Sequence, residues 1–66
     1  MEYCLIGIDG NAYSLMGYTA RALRKEGLGS LVKTMQEEAT SSDYYHLICV
    51  CQKYIDMVNL KIQERI

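Results

Sequence analysis

Residues 42–64 carry two apolar rows on one helical period, and this feature limits most what the chain can become. Tyr44, Ile48, Cys51, Ile55, Val58 and Ile62 recur at alternating spacings of four and three. Leu47, Val50, Tyr54 and Met57 form a second row beside them. Alternation of that kind places each row along one side of an α-helix, in the manner of a heptad repeat. The chain has no proline to interrupt it. At about 1.5 Å per residue such a helix is about 30–35 Å long. The cluster Thr40-Ser41-Ser42-Asp43 precedes it, with Ser41 or Ser42 expected as the N-cap and Asp43 placed favourably for the helix dipole.

Everything else in this single small domain must cover those rows. Asn11 is a good N-cap, and the segment 11–26 has helical period, with Ala12, Met16, Thr19, Ala20 and Leu23 on one face and Leu15 and Ala22 beside it. Gly27 follows Arg24, Lys25 and Glu26 as a C′ stop. A shorter helix is expected over 30–39, capped by Ser30, with Leu31, Val32, Met35 and Ala39 as its apolar edge and Lys33, Gln36, Glu37 and Glu38 toward water. Residues 3–8, YCLIGI, read as a short strand or extended arm that either lies along a helix or pairs with the same strand of another copy. The fold class is therefore mainly α: a strand or arm, then three helices, the last one long. The first two helices look too short to screen the third along its length. The half from Tyr54 to Ile66 is accordingly expected to pack on another protomer, giving a homo-oligomer through the third helix, with the N-terminal strand as a further contact.

The totals narrow the function classes. A chain of 66 residues buries only about 60% of its unfolded surface, and such domains often lean on disulfides, metals or partners. Here three cysteines and one histidine lack any CxxC spacing, so a four-ligand zinc site would need every one of them from distant positions. Neither a metal nor another cofactor is expected. An odd cysteine count with no signal peptide fits a reducing cytoplasm. Net charge is −1, with 7 basic and 8 acidic residues, which argues against bulk binding to DNA. No apolar run approaches the roughly 18–20 residues of a membrane span.

Four groups of residues invite a functional reading. Asp9-Gly10-Asn11 opens a helix and could present backbone N–H groups to an anion, although a turn and N-cap explain it more simply. Arg21, Arg24 and Lys25 form the one basic cluster; guanidinium groups hold phosphate in bidentate fashion, and cations also collect at helix C-termini for electrostatic reasons. Tyr13, Tyr18, Tyr44 and Tyr45 offer flat faces with a polar end, suited to stacking or to core packing. His46 with Asp43 or Cys49 has the residue types of acid–base or nucleophilic chemistry. Against this, a capping Asp, a surface His and buried cysteine fillers at positions 49 and 51 account for them without a reaction. Gly17 stands apart: inside a helix it costs about 1 kcal/mol relative to alanine, and a close approach by a backbone or a ligand would offset that.

DGNAYSLMGYTARALRKEG, and after a short spacer EEATSSDYYHL, together resemble a family of small phage and prophage proteins. Its members carry a DGNAF-like start, a glycine a few residues on, an RAL segment, and an acidic-Ala-x-Ser-Gly-Asp-Tyr-x-x-Leu stretch. The resemblance covers residues 5–50. It departs at Tyr13, where phenylalanine is usual, at Ser42, where glycine is usual, and in a longer tail after Tyr54. It implies a phage or prophage origin and a helical fold, and no particular activity.

The expected function is thus a non-enzymatic, oligomeric binding protein that takes a small anionic ligand between protomers, of the cyclic-nucleotide type used as host immune signals. Arg21, Arg24 and Lys25 would meet phosphates, Asn11 and Tyr13 would add polar and stacking contacts, and Gly17 would permit close approach. The alternative is a protein-binding module that inhibits or regulates a host or phage protein through YCLIGI or the third helix.

Overall fold

A computed structural model describes residues 2–64 and contains three α-helices, α1 (Ala12–Lys25), α2 (Val32–Ala39) and α3 (Tyr44–Glu64), with a 3-10 turn at Gly29–Leu31 leading into α2. Helix α3 is the central element. Its second row is buried at Leu47, Val50 and Tyr54, and its first at Cys51, Ile55 and Val58. Helix α1 contributes Leu15, Thr19, Ala20, Ala22 and Leu23 to this core, and α2 contributes Val32, Met35 and Ala39.

The coverage of α3 corrects one step of the sequence reasoning. Tyr54, Ile55 and Val58 lie in the half expected to need another protomer, yet they are fully buried within one chain. Two short helices suffice because both pack on α3 and the N-terminal arm supplies a third cover: Tyr3, Leu5 and Ile8 pack against the same core. What remains outward on that half of α3 is Met57 and Leu60, at 41% and 56% exposure. Arg65 and Ile66, the end of the expected oligomerising segment, lie outside the described residues.

Residues 3–8 form an arm, and no strand occurs among the described residues. The backbone that a neighbouring strand would have paired is held by a side chain. The Asn59 carboxamide accepts from Tyr3 N (2.8 Å) and donates to the Tyr3 carbonyl (2.8 Å), reproducing the two bonds of a strand pair. Tyr18 Oη accepts from Cys4 N at 2.9 Å, and Tyr3 Oη donates to the Glu26 carboxylate at 2.9 Å. The arm then reverses at Leu5–Ile8, where Ile8 N donates to the Leu5 carbonyl and Gly7 takes φ +89°, the left-handed conformation that favours glycine.

Helix ends follow their caps. Asn11 Oδ1 accepts from Tyr13 N at 2.8 Å, which starts α1 as expected. At the other end Gly27 (φ +81°) forms a Schellman stop, with Leu28 N donating to the Leu23 carbonyl and Gly27 N to the Arg24 carbonyl. Lys61 Nζ donates to the Glu26 carbonyl there, placing a cation from α3 at the negative end of α1. Two expected caps are corrected. Ser30 makes no cap bond, because the chain enters α2 through the 3-10 turn. Neither Ser41 nor Ser42 caps α3: Asp43 does so, accepting from His46 N at 2.9 Å, while Ser41 closes α2 by donating to the Glu38 carbonyl at 2.7 Å.

Asn59 therefore carries the attachment of the arm. Asn59→Ala is expected to leave helix content unchanged and to lower stability by about 1–2 kcal/mol, the loss of two half-buried hydrogen bonds. Hydrogen exchange checks this, with the Tyr3 amide losing its protection.

Candidate functional site

The chain is 15 Å across its thinnest dimension and 36 Å along its longest. A helix with its side chains is itself about 10 Å wide, so one chain cannot enclose a ligand-sized cavity and any site must lie on a surface. Four polar or charged regions lie on that surface.

The first is the junction of α2 and α3. Glu38 accepts from Lys53 Nζ (2.6 Å) and from Tyr54 Oη (2.7 Å), and Lys53 also lies 5.0 Å from the centroid of the Tyr54 ring. This is the one ion pair among the described residues. The donors from Lys53 and Tyr54 hold the Glu38 carboxyl below its ordinary range, and the same carboxylate, with burial, pushes the Tyr54 hydroxyl up to about 12. The cluster ties α2 to α3 and its polar groups serve one another: Tyr54 is buried, and both Glu38 oxygens are engaged.

The second is His46. Its Nε2 lies 2.9 Å from the Glu38 carbonyl and 3.1 Å from Ser41 Oγ. A carbonyl can only accept, so Nε2 carries the proton in this contact. Ser41 donates to the same carbonyl. The pair therefore finishes α2 and does not form a nucleophile and its base. Asp43 faces the His46 backbone amide, and Cys49 is exposed. The exposure of Cys49 corrects its reading as a buried filler; Cys51, about 200° further round the helix, is the buried one, and burial pushes its thiol up. Among the described residues no three His, Cys, Asp or Glu side chains converge.

The third is the set of tyrosines, which the fold disperses. Tyr18 is bound to the arm. Tyr44 and Tyr45 meet edge to face at the start of α3, 6.3 Å between centroids, and Tyr44 Oη donates to the Gly10 carbonyl. Tyr13 alone stands free, 82% exposed.

The fourth is the outer face of α1. Arg21, Arg24 and Lys25 are all exposed, and none has a carboxylate partner among the described residues. The helix from Ala12 to Lys25 has no acidic residue, so nothing on it neutralises them. Gly17 and Tyr13 share this face one and two turns from Arg21 toward the N-terminus. At Gly17 an added Cβ would meet only the end of the Arg21 side chain, Nη1 at 3.8 Å. The chain itself thus gives no steric reason for glycine at this position, and the cost noted in the sequence is not offset internally. Asn11 precedes α1 in extended conformation, and its Oδ1 serves the helix cap. At about 1.5 Å per residue, Asn11 and Lys25 stand about 20 Å apart at opposite ends of the helix.

Comparison with protein-family models, with curated proteins and with solved structures finds no match to the chain. No helix among the described residues is long and apolar enough to cross a membrane.

Two measurements follow from this geometry. Gly17→Ala is expected to raise stability by up to about 1 kcal/mol, read as a higher urea midpoint, since the new methyl group has room and the helix gains propensity. Tyr54 supplies a pH signature. Its raised folded value means that its contribution is complete below the unfolded value near 10 and is lost as pH rises through about 12. Glu38 has the opposite sign: its lowered value gives stability that is present above about 4.5 and lost on acidification. Thermal melting across pH 9–12 should fall more steeply for the natural chain than for Tyr54→Phe, and a tyrosinate absorbance step near 12 should vanish in that variant.

Proposed function

We propose that this is a non-enzymatic binding protein whose outer α1 face holds a small anionic ligand of the nucleotide type. The observation that carries the reading is the uncompensated cationic face. Arg21, Arg24 and Lys25 stand exposed on a helix with no acid, with no carboxylate partner among the described residues. An exposed aromatic ring, Tyr13, shares the face. Guanidinium groups recognise phosphate oxygens in pairs, and a tyrosine ring offers a base a stacking surface, so phosphate and base chemistry together fit better than an inorganic ion. Asn11, Tyr13, Gly17, Arg21, Arg24 and Lys25 make up the proposed contact set. In the phage or prophage setting that the sequence resemblance implies, a protein of this kind acts by sequestering a host immune signal in the cytoplasm, with no cofactor and no reaction.

Titration calorimetry against cyclic dinucleotides and linear nucleotides tests this. One class is expected to bind, with Arg21→Ala and Arg24→Ala each weakening it about tenfold or more, the worth of a charge-assisted hydrogen bond. Absence of binding across the panel, or unchanged affinity in both variants, removes the reading.

One observation favours a second reading, a protein-binding module. Ile6 sits at the tip of the arm's turn, 90% exposed. Under that reading Ile6→Ser abolishes capture of a stoichiometric protein partner while nucleotide binding is absent throughout.

A further inference from the structure

We infer that the seat of the N-terminal arm is a recognition site for an extended peptide segment of a partner protein, and that the arm is its displaceable occupant in cis. The segment it fits carries an acidic residue, a tyrosine, any residue and an aliphatic residue, in that order. None of the residues proposed to hold an anion belongs to this seat, so the two sites stand or fall separately.

The seat reads main chain first. Tyr18 and Glu26 reach it from α1 and its C-cap, Asn59 and Gln63 from α3. The Asn59 carboxamide meets the N–H and the C=O of one arm residue, Tyr3, both at 2.8 Å. Tyr18 Oη takes the next N–H, that of Cys4, at 2.9 Å. Such contacts hold any extended chain whatever its side chains, as an added strand is held at a sheet edge. Side-chain contacts then select the sequence, and they alternate along the segment. Tyr3 and Leu5 are half-buried against the core, whereas Glu2 and Cys4 are exposed. Tyr3 Oη donates to the Glu26 carboxylate at 2.9 Å, and its ring meets that of Tyr18 edge to face, 6.1 Å between centroids. Gln63 Nε2 donates to the Glu2 carboxylate at 2.6 Å, which favours an acidic residue at that position.

The arm is held in the way a ligand is held. Every buried residue among those described belongs to one of the three helices, and none lies within residues 2–10. Ile8 N closes the arm's own turn on the Leu5 carbonyl. That turn is a ready joint: Gly7 takes φ +89° with open space around it, Ile6 is 90% exposed, and α1 is capped further along by Asn11. Residues 2–5 can therefore lift off at the turn while Ile8 and the start of α1 stay in place. Being tethered, the arm competes at high effective concentration and lowers a partner's apparent affinity by the fraction of time it is seated. The contact is thus autoinhibitory.

Fluorescence anisotropy on the full chain, with a labelled peptide of residues 2–8 as the probe, tests the site. Tyr3→Ala in the protein weakens the arm, and this variant is expected to bind the peptide at least tenfold more tightly than the natural chain, with unchanged helix content by circular dichroism. Adding Asn59→Ala to it should cost at least tenfold. A peptide carrying Tyr3→Phe should bind about tenfold more weakly, the worth of a hydrogen bond to a carboxylate. Hydrogen exchange on the natural chain gives a measurement free of substitutions: the Tyr3 and Cys4 amides should exchange at least tenfold faster than those of Met35 and Val58, because the arm opens without the helices. The proposal is overturned by a Tyr3→Ala variant that loses its helices or binds no better than the natural chain, by indifference to Asn59→Ala or to the phenylalanine peptide, or by arm amides that exchange only with the core. Native mass spectrometry separates the other occupant: a natural chain that dimerises, with the dimer lost in Asn59→Ala, assigns the seat to the arm of a second copy and overturns the partner segment.

Discussion

The fold depends on covering two apolar rows of one helix within a chain that has little else. Helix α3 presents Leu47, Val50 and Tyr54 to one side and Cys51, Ile55 and Val58 to another, and all six are buried. Burying each such side chain contributes about 1.5–3 kcal/mol, more than any single polar contact in the molecule supplies. Helices α1 and α2 are therefore placed by that demand, both packed on α3. The polar contacts then fix the arrangement. Tyr54 and Lys53 hold Glu38 at the end of α2, and Lys61 holds the Glu26 carbonyl at the end of α1. Each helix that packs on α3 is anchored at its C-terminus by an α3 side chain.

The arm obeys the same economy of material. A lone extended segment leaves backbone groups that must find partners. Asn59 and Tyr18 satisfy those of Tyr3 and Cys4, so YCLIGI becomes part of the core's cover without a partner strand. This is why Met57 and Leu60 are left as scattered outward residues on α3, where a whole unpaired stripe was expected. Single exposed apolar side chains are ordinary on small proteins; a stripe would have demanded a second copy.

With α3 satisfied internally, the features that the fold does not consume lie on the opposite side of the molecule, along α1. Tyr13, Arg21, Arg24 and Lys25 are exposed and Gly17 is half-buried, and capping explains only Asn11. By contrast His46, Asp43 and Ser41, the residues with the most suggestive chemistry, are all accounted for as helix ends. Function is better sought among residues that structure leaves over than among residue types that resemble a reaction.

Helix existence, order and buried faces were legible in the residues themselves, because a period of 3.6 marks the face that must leave water, and Asn11 and Gly27 mark ends by their own backbone chemistry. The basic face of α1 was equally legible, since neighbours on a helix surface follow from spacing alone. Three matters were decided only by tertiary structure. Asp43 took the cap that Ser41 and Ser42 could also have supplied, because Ser41 was drawn to the end of α2. The arm stayed unpaired as a strand because an asparagine 56 positions away reaches its backbone. The burial of Tyr54, Ile55 and Val58 within one chain came from three covers meeting on one helix. Periodicity states which surfaces must be buried; which part of the chain buries them depends on distances in space, and those exist only once the helices have packed.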